Sequence, residues 1–346
     1  MIRSCVVALA LALSLAASPA RANVWQDATD QDKPERAARE AYDTAMRQGD
    51  EHALQATTSS ASYRAIKHQL QLAVDSYRAA AAARPTAAEP YYRIGMLLYS
   101  FYFDCTDTFA RPITSLLCDP TVGAFDRARA RQIIEAWDAF EARAPLDPRL
   151  TVNVIGDTEI LFERAILHTK LATKQDLQAA SADYEKILAR HDGTDTSERV
   201  LGNLAETYMM LGRMEQALET YREALRGASD TSTWYGYAVA LDRYEGSRQA
   251  LEIMRSLGPQ QRDMFFRSVA AGVTFFVPAG EKYYYFALVD EAFGFDDQAI
   301  ENWTKYIASG AHAEFQPRAK EHLKVLNARK KHRRVPIDPP WPELFR

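Results

Sequence analysis

The chain is 346 residues long, with 25% charged and 47% hydrophobic residues and a formal net charge of −4. That length supports several packing units, and the acidic balance gives no reason to expect a nucleic-acid partner. With only 15 Gly and 15 Pro amid runs rich in Ala, Arg, Glu and Leu, the composition excludes collagen-like chains and favours helix.

Residues 1–22 place Arg3 before an apolar run from Val6 to Ala17 and end in Ala20-Arg21-Ala22, the three zones of a cleaved secretory signal. Cleavage after Ala22 is expected to leave a periplasmic or secreted protein, in which 40 of the 42 basic residues face 46 acidic ones once Arg3 and Arg21 are gone. Cys5 precedes the apolar run, so it is misplaced for lipid attachment and leaves with the signal. No later segment offers the roughly 20 consecutive apolar residues of a transmembrane helix, and none is expected in the mature chain.

Residues 23–53 begin polar and become a lead-in helix through Ala37, Ala38, Ala41, Tyr42 and Ala45, expected to end near Gly49. From residue 54 amphipathic helices come in pairs. Ala73, Tyr77 and Ala80, followed by Pro85, mark a second helix whose first partner, from Leu54, is poorly patterned. Tyr91, Ile94, Gly95 and Leu98 open the next pair, which an insertion at 104–123 interrupts before a partner helix through Ala136 and Phe140. Val152, Ile155 and Gly156 open another, closed by Ala180 and Tyr184.

The clearest copy occupies 198–230. Leu201, Leu204, Ala205 and Tyr208 share one helix face, and Gly212 stops that helix at a left-handed turn position. Met214, Ala217, Leu218, Tyr221, Ala224 and Leu225 stripe the second helix. Trp234, Tyr237, Ala238 and Leu241, then Ala250, Met254 and Leu257, repeat the pattern, with Ala250 lying 33 residues after Ala217. The period breaks at 258–280, where Phe265, Phe266, Phe275, Phe276 and Val277 predict an extra helix plus a short extended piece. Tyr283, Phe286, Ala287, Gly294, Ala299 and Trp303 restore it.

A capping helix is expected over 312–331, with Ala319, Leu323 and Leu326 on one face and solvated Lys and Arg on the other. The cations from Arg329 to Arg334 complement the dipole at its C-terminus. Residues 332–346 form a Pro-rich tail that cannot continue a helix.

The large, small and aromatic positions of the 198–230 copy, and their return after 33 residues, closely resemble the tetratricopeptide repeat, and the chain is identified as an exported bacterial member of that family. The resemblance implies an all-α fold, a right-handed superhelical solenoid of helix hairpins over 54–311 with inserted loops. It also implies that the first helix of each hairpin lines a concave surface, where an outward stripe meets a protein or peptide partner. Mapped onto this chain, the stripe comprises Tyr92, Met96 and Tyr99; Asn153 and Asp157; Glu206 and Met209; Tyr235 and Asp242; and Tyr284 and Glu291. Tyrosines there offer contact area at low entropy cost, and the acids favour a basic segment. The family's chaperone-binding members grip a terminal carboxylate with Lys, Arg and Asn on this stripe. The matched positions here are largely aromatic, apolar or acidic, so that ligand is not expected.

The chain contains no phosphate-binding glycine loop, nucleophile elbow, HExxH or CxxC. The histidines, including His168, His312 and His322, lack metal-ligand spacing and are expected at the surface or groove. The expected function is therefore a non-catalytic interaction scaffold of the cell envelope, with no cofactor and no metal. The alternative is an enzyme or small-molecule receptor whose site lies in the inserted segments 104–123 and 258–280. Cys105 and Cys118 are the cysteines left after cleavage, and in an oxidising compartment they are expected to form a disulfide worth about 3 kcal/mol.

Overall fold

The computed structural model describes residues 20–58, 62–103, 125–147, 158–190, 197–227, 231–246, 248–270, 274 and 276–333. Every regular element among them is helical. The disulfide pair Cys105 and Cys118, the stripe residues Asn153 and Asp157, most of the signal and the tail from 334 lie outside the described residues.

The chain divides into two compact units, residues 1–94 and 95–346. In the first, α1 (Ala20–Thr58) pairs with α2 (Tyr63–Ala83). The lead-in helix does not end near Gly49. Tyr42, Ala45, Met46, Gly49 and Ala56 form its buried face, and a Cβ on Gly49 would come within 2.4 Å of the Tyr77 ring. Gly49 is thus a point of close approach inside a helix, and α1 supplies the first half of the hairpin that was expected to begin at Leu54. Tyr77 also donates from its hydroxyl to Asp50, 2.7 Å away.

The second unit takes up α3 (Glu89–Tyr102) from Gly95 and continues through α4 (Arg127–Arg143), α5 (Thr158–Leu171), α6 (Lys174–Ala189), α7 (Ser197–Met210) and α8 (Met214–Ala224). It ends with α9 (Thr231–Glu245), α10 (Arg248–Ser256), α11 (Gly258–Ala270), α12 (Lys282–Ala292), α13 (Asp296–Ser309) and α14 (Gln316–Arg333). The tightest partners are consecutive, α5 with α6, α7 with α8, and α12 with α13; α6 with α7, α9 with α10, and α13 with α14 follow, equal to one another. This is an all-α solenoid of helix pairs, the arrangement that tetratricopeptide-like hairpins produce.

Local chemistry sets the helix ends. The Asp126 and Thr173 side chains accept from the backbone N–H of Arg129 at 2.9 Å and Asp176 at 3.1 Å, capping α4 and α6. Gly212 takes φ 74° between α7 and α8, the left-handed turn expected there. Tyr184, Tyr221 and Trp303 of the second helices are each 2% exposed or less. A Cβ on Gly95 would lie 2.2 Å from the Trp137 indole, and one on Gly236 would lie 2.4 Å from the Tyr221 hydroxyl. The 258–280 segment contains the extra helix that was expected, as α11, and no strand occurs among the described residues.

Candidate functional site: the first-helix stripe

One face of each first helix is spent inside its hairpin, so the stripe opposite carries whatever chemistry a ligand could meet. On α3, Tyr92 of the first unit is half-buried. In the second unit Met96 and Tyr99 are half-buried too. The Tyr99 ring lies 5.5 Å from that of Trp137, and its hydroxyl donates to Glu163 on α5. Beside Glu163, Ile166 on α5 and Asn203 on α7 are also half-buried.

The remaining residues of the stripe lie elsewhere. Met209, Tyr235, Asp242, Tyr284 and Glu291 are buried, with Tyr235, Asp242 and Tyr284 at 0% exposure. The Glu206 carboxylate accepts from the hydroxyls of Tyr221 at 2.8 Å and Tyr285 at 2.9 Å, and burial pushes its carboxyl up. The expectation of an exposed aromatic and acidic trough is corrected for the five buried residues, while the half-buried Glu206 is taken up by the two tyrosine hydroxyls.

Two elements account for the burial. The first is α11 with the chain that follows it. Phe265 packs its ring 4.5 Å from Tyr235, Phe266 stacks on Phe286 at 4.3 Å, and Phe276 sits 4.8 Å from Tyr285. The aromatic residues of the inserted segment need an apolar surface, and Tyr235 of the stripe supplies it together with Tyr285 and Phe286 of α12. Beneath them Arg243 pairs with Glu281, both side chains at most 2% exposed. The guanidinium lies 4.2 Å from the ring centres of Tyr284 and Phe315.

The second covering element is α14. Arg318 donates to Asp242 Oδ1 from Nε at 3.1 Å and Nη2 at 2.7 Å, and the Tyr284 hydroxyl donates to Oδ2 at 2.7 Å. His322 joins both acids, with Nε2 3.0 Å from Asp242 and Nδ1 2.7 Å from Glu291, while its ring stacks on Trp303 at 4.6 Å. Burial alone would lower the His322 pKa, but the two carboxylates hold it up at about 9. Burial would likewise raise Asp242; hydrogen bonds from His322 and Arg318 outweigh it and keep that carboxyl below its ordinary value. The capping helix therefore has no wholly solvated basic face. Further along it, Lys330 pairs with Asp297 at 2.5 Å, and Arg329 reaches Glu291 at 3.6 Å.

A third charged cluster ties α4, α5 and α6 together. Arg164, 3% exposed, donates to Asp183 at 2.8 and 2.7 Å, to Asp138 at 2.9 Å and to Glu141 at 2.6 Å. Asp176 takes both Nη groups of Arg131 at 2.6 and 2.7 Å, together with His168 Nδ1 at 3.0 Å. Burial would raise the Asp176 carboxyl, and these partners bring it down to about 2. His168 and His322, expected at the surface or groove, are thus both buried against carboxylates. The available sequence signal was charge set inside an apolar helical run, as Glu163 and Arg164 are between Leu161-Phe162 and Ala165-Ile166-Leu167. Among the described residues, no group of His, Cys, Asp and Glu has the geometry of a metal site, and no helix is long and apolar enough to cross a membrane.

No protein-family model matches the chain, and no curated protein matches it. Among solved structures the chain is similar to the crystal structure of the yeast Tom70, at 13% identity and a TM-score of 0.26, over 86% of this chain and 66% of that one.

Proposed function

We propose that this chain is a non-catalytic interaction scaffold of the cell envelope, exported by its first 22 residues, which holds a segment of a partner protein against the stripe of α3, α5 and α7. One observation carries the reading. Met96, Tyr99, Glu163, Ile166 and Asn203 stay half-buried, whereas the matching stripe on α9 and α12 is consumed by packing. This part of the stripe joins apolar area to hydrogen-bonding groups, the mixture that protein interfaces use. The 258–280 segment is poorly suited to a small-molecule pocket, because Phe265, Phe266 and Phe276 are committed to neighbouring rings.

The test is affinity capture from an envelope fraction with the mature chain as bait, set beside a Met96→Glu, Ile166→Glu variant of unchanged circular dichroism. A partner held by the wild type and weakened at least tenfold in the variant supports the reading. A partner held equally by both contradicts it. N-terminal sequencing of the protein from the producing cell checks the export step, with a first residue of Asn23 expected and Met1 contradicting it.

A further inference from the structure

The C-terminal helix has an unusual balance of attachments. Among its described side chains Ala319, His322 and Leu326 are buried and Leu323 is half-buried against the same core, and the helix it packs on most is α13. Its hold on α9 and α12 is by charge. Arg318 and His322 answer Asp242, while His322 and Arg329 answer Glu291. A capping helix needs only an apolar face toward the stack and a polar face toward water. Here two cationic side chains, one helical turn apart at 318 and 322, reach past the neighbouring pair to a carboxylate on α9, 76 and 80 residues earlier in the chain.

Asp242 receives Arg318 through two nitrogens of one guanidinium, a geometry that a lysine could not reproduce. Tyr284 holds the other carboxylate oxygen in place from α12. Glu291 is approached by the Trp303 indole N–H at 3.4 Å as well as by His322 at 2.7 Å. The acids are therefore oriented by residues of the stack itself, and the cations all come from one helix. That division of roles is the one found between a receptor and its ligand, with a preorganised acidic site on one side and a basic amphipathic helix on the other.

We propose that Asp242, Glu291, Tyr284 and Trp303 form a recognition site for a basic helix, filled in this structure by the chain's own α14 as a releasable ligand. Ala319, Leu323 and Leu326 are its apolar contacts with the core and the rest of its hold is by charge pairs, so as the terminal element it separates at lower cost than the hairpins enclosed within the stack. Once α14 leaves, both carboxylates face water and are available to another helix with Arg and His or Lys at i and i+4. The inference concerns the isolated chain and stands apart from any partner on α3, α5 and α7.

Two measurements on the full-length protein test it. Hydrogen exchange read by mass spectrometry should show α14 peptides exchanging at least tenfold faster than those of α9 and α12, and Arg318→Ala with Arg329→Ala should accelerate α14 alone. Exchange of α14 in step with α9 and α12 overturns the proposal, because the helix is then ordinary core. The second measurement adds a labelled synthetic peptide of residues 313–333 to that double variant. Binding should be at least tenfold tighter than to the wild type, and should be lost when the peptide carries Gln in place of Arg318 and His322. Equal binding of the two peptides, or none to a chain whose α14 exchanges freely, overturns the recognition site.

Discussion

Tyr99 on α3 and Tyr284 on α12 both stand on the stripe that the hairpins leave unused, and they end in different surroundings. Tyr99 is half-buried, with its hydroxyl on Glu163. Tyr284 is 0% exposed, edge-on to Trp303 and Tyr306 at 4.7 and 5.0 Å, with its hydroxyl on the buried Asp242. The helices carrying them share one pattern; the elements laid over them do not. After α10 the chain inserts an aromatic helix, which packs on Tyr235 of α9 and on Tyr285 and Phe286 of α12, and after α13 it adds a basic one, which pairs with Asp242 of α9 and Glu291 of α12. Helical periodicity thus identifies the face that a helix turns away from its own hairpin, and it does not identify which other part of the chain covers that face.

The largest effect should come from breaking the covered region. Tyr284→Ala removes a fully buried ring and leaves Asp242 short of a donor, so a loss of about 3 to 5 kcal/mol is expected in denaturant unfolding. Arg243→Met, which strands the buried Glu281, should cost a similar amount. Retained stability in either variant would mean that the stripe is not sealed.

A smaller effect should come from Gly236→Ala. Its new methyl group would meet the Tyr221 hydroxyl at 2.4 Å, and forcing the ring aside costs about 1 to 3 kcal/mol. Thermal denaturation beside Gly212→Ala separates close approach from backbone strain, since Gly212 has open space around it but φ 74°.

The two regions should also differ in their response to pH. Asp176 is held at about 2 against an ordinary 3.8, so the folded state binds its proton less tightly than the unfolded state does. Its contribution is complete above 3.8 and fades as pH falls toward 2. His322 has the opposite sign. Raised from 6.5 to about 9, it contributes fully below 6.5 and loses that contribution as pH rises through 9. Denaturation midpoints should therefore fall in acid for the wild type, and an alkaline decline between these two values should vanish in His322→Gln. An unchanged alkaline decline would show that the histidine is not clamped.

The smallest effect belongs to the half-buried stripe. Met96→Ala should cost about 1 kcal/mol or less, because the side chain is not enclosed and its neighbours can close up.

Particular residues show why some of this was legible in the sequence and some was not. Leu204, Ala205, Tyr208, Ala217 and Tyr221 reveal a hairpin because α7 and α8, which carry them, are consecutive in the chain and pack on each other. Gly212 reveals its turn because few residues tolerate that backbone. Gly49 misleads for a related reason. A glycine that admits a ring and one that ends a helix look alike in sequence, and only the position of Tyr77 tells them apart. Asp242 and Glu291 give no sign of their burial in the sequence, because their partners Arg318 and His322 arrive from 31 to 80 residues further along the chain, beyond any local pattern.

The central claim is that one stripe is sealed from Met209 of α7 through α9 and α12, and accessible on α3, on α5 and at Asn203 of α7. Hydroxyl-radical footprinting of the native full-length chain, read at single methionines by mass spectrometry, tests it directly. Met264 is 55% exposed and serves as the internal standard, while Met254 at 0% marks the protected limit. Met96 should oxidise at a rate nearer to Met264, and Met209, 1% exposed, should stay with Met254. Oxidation of Met209 as fast as Met96 would contradict the account.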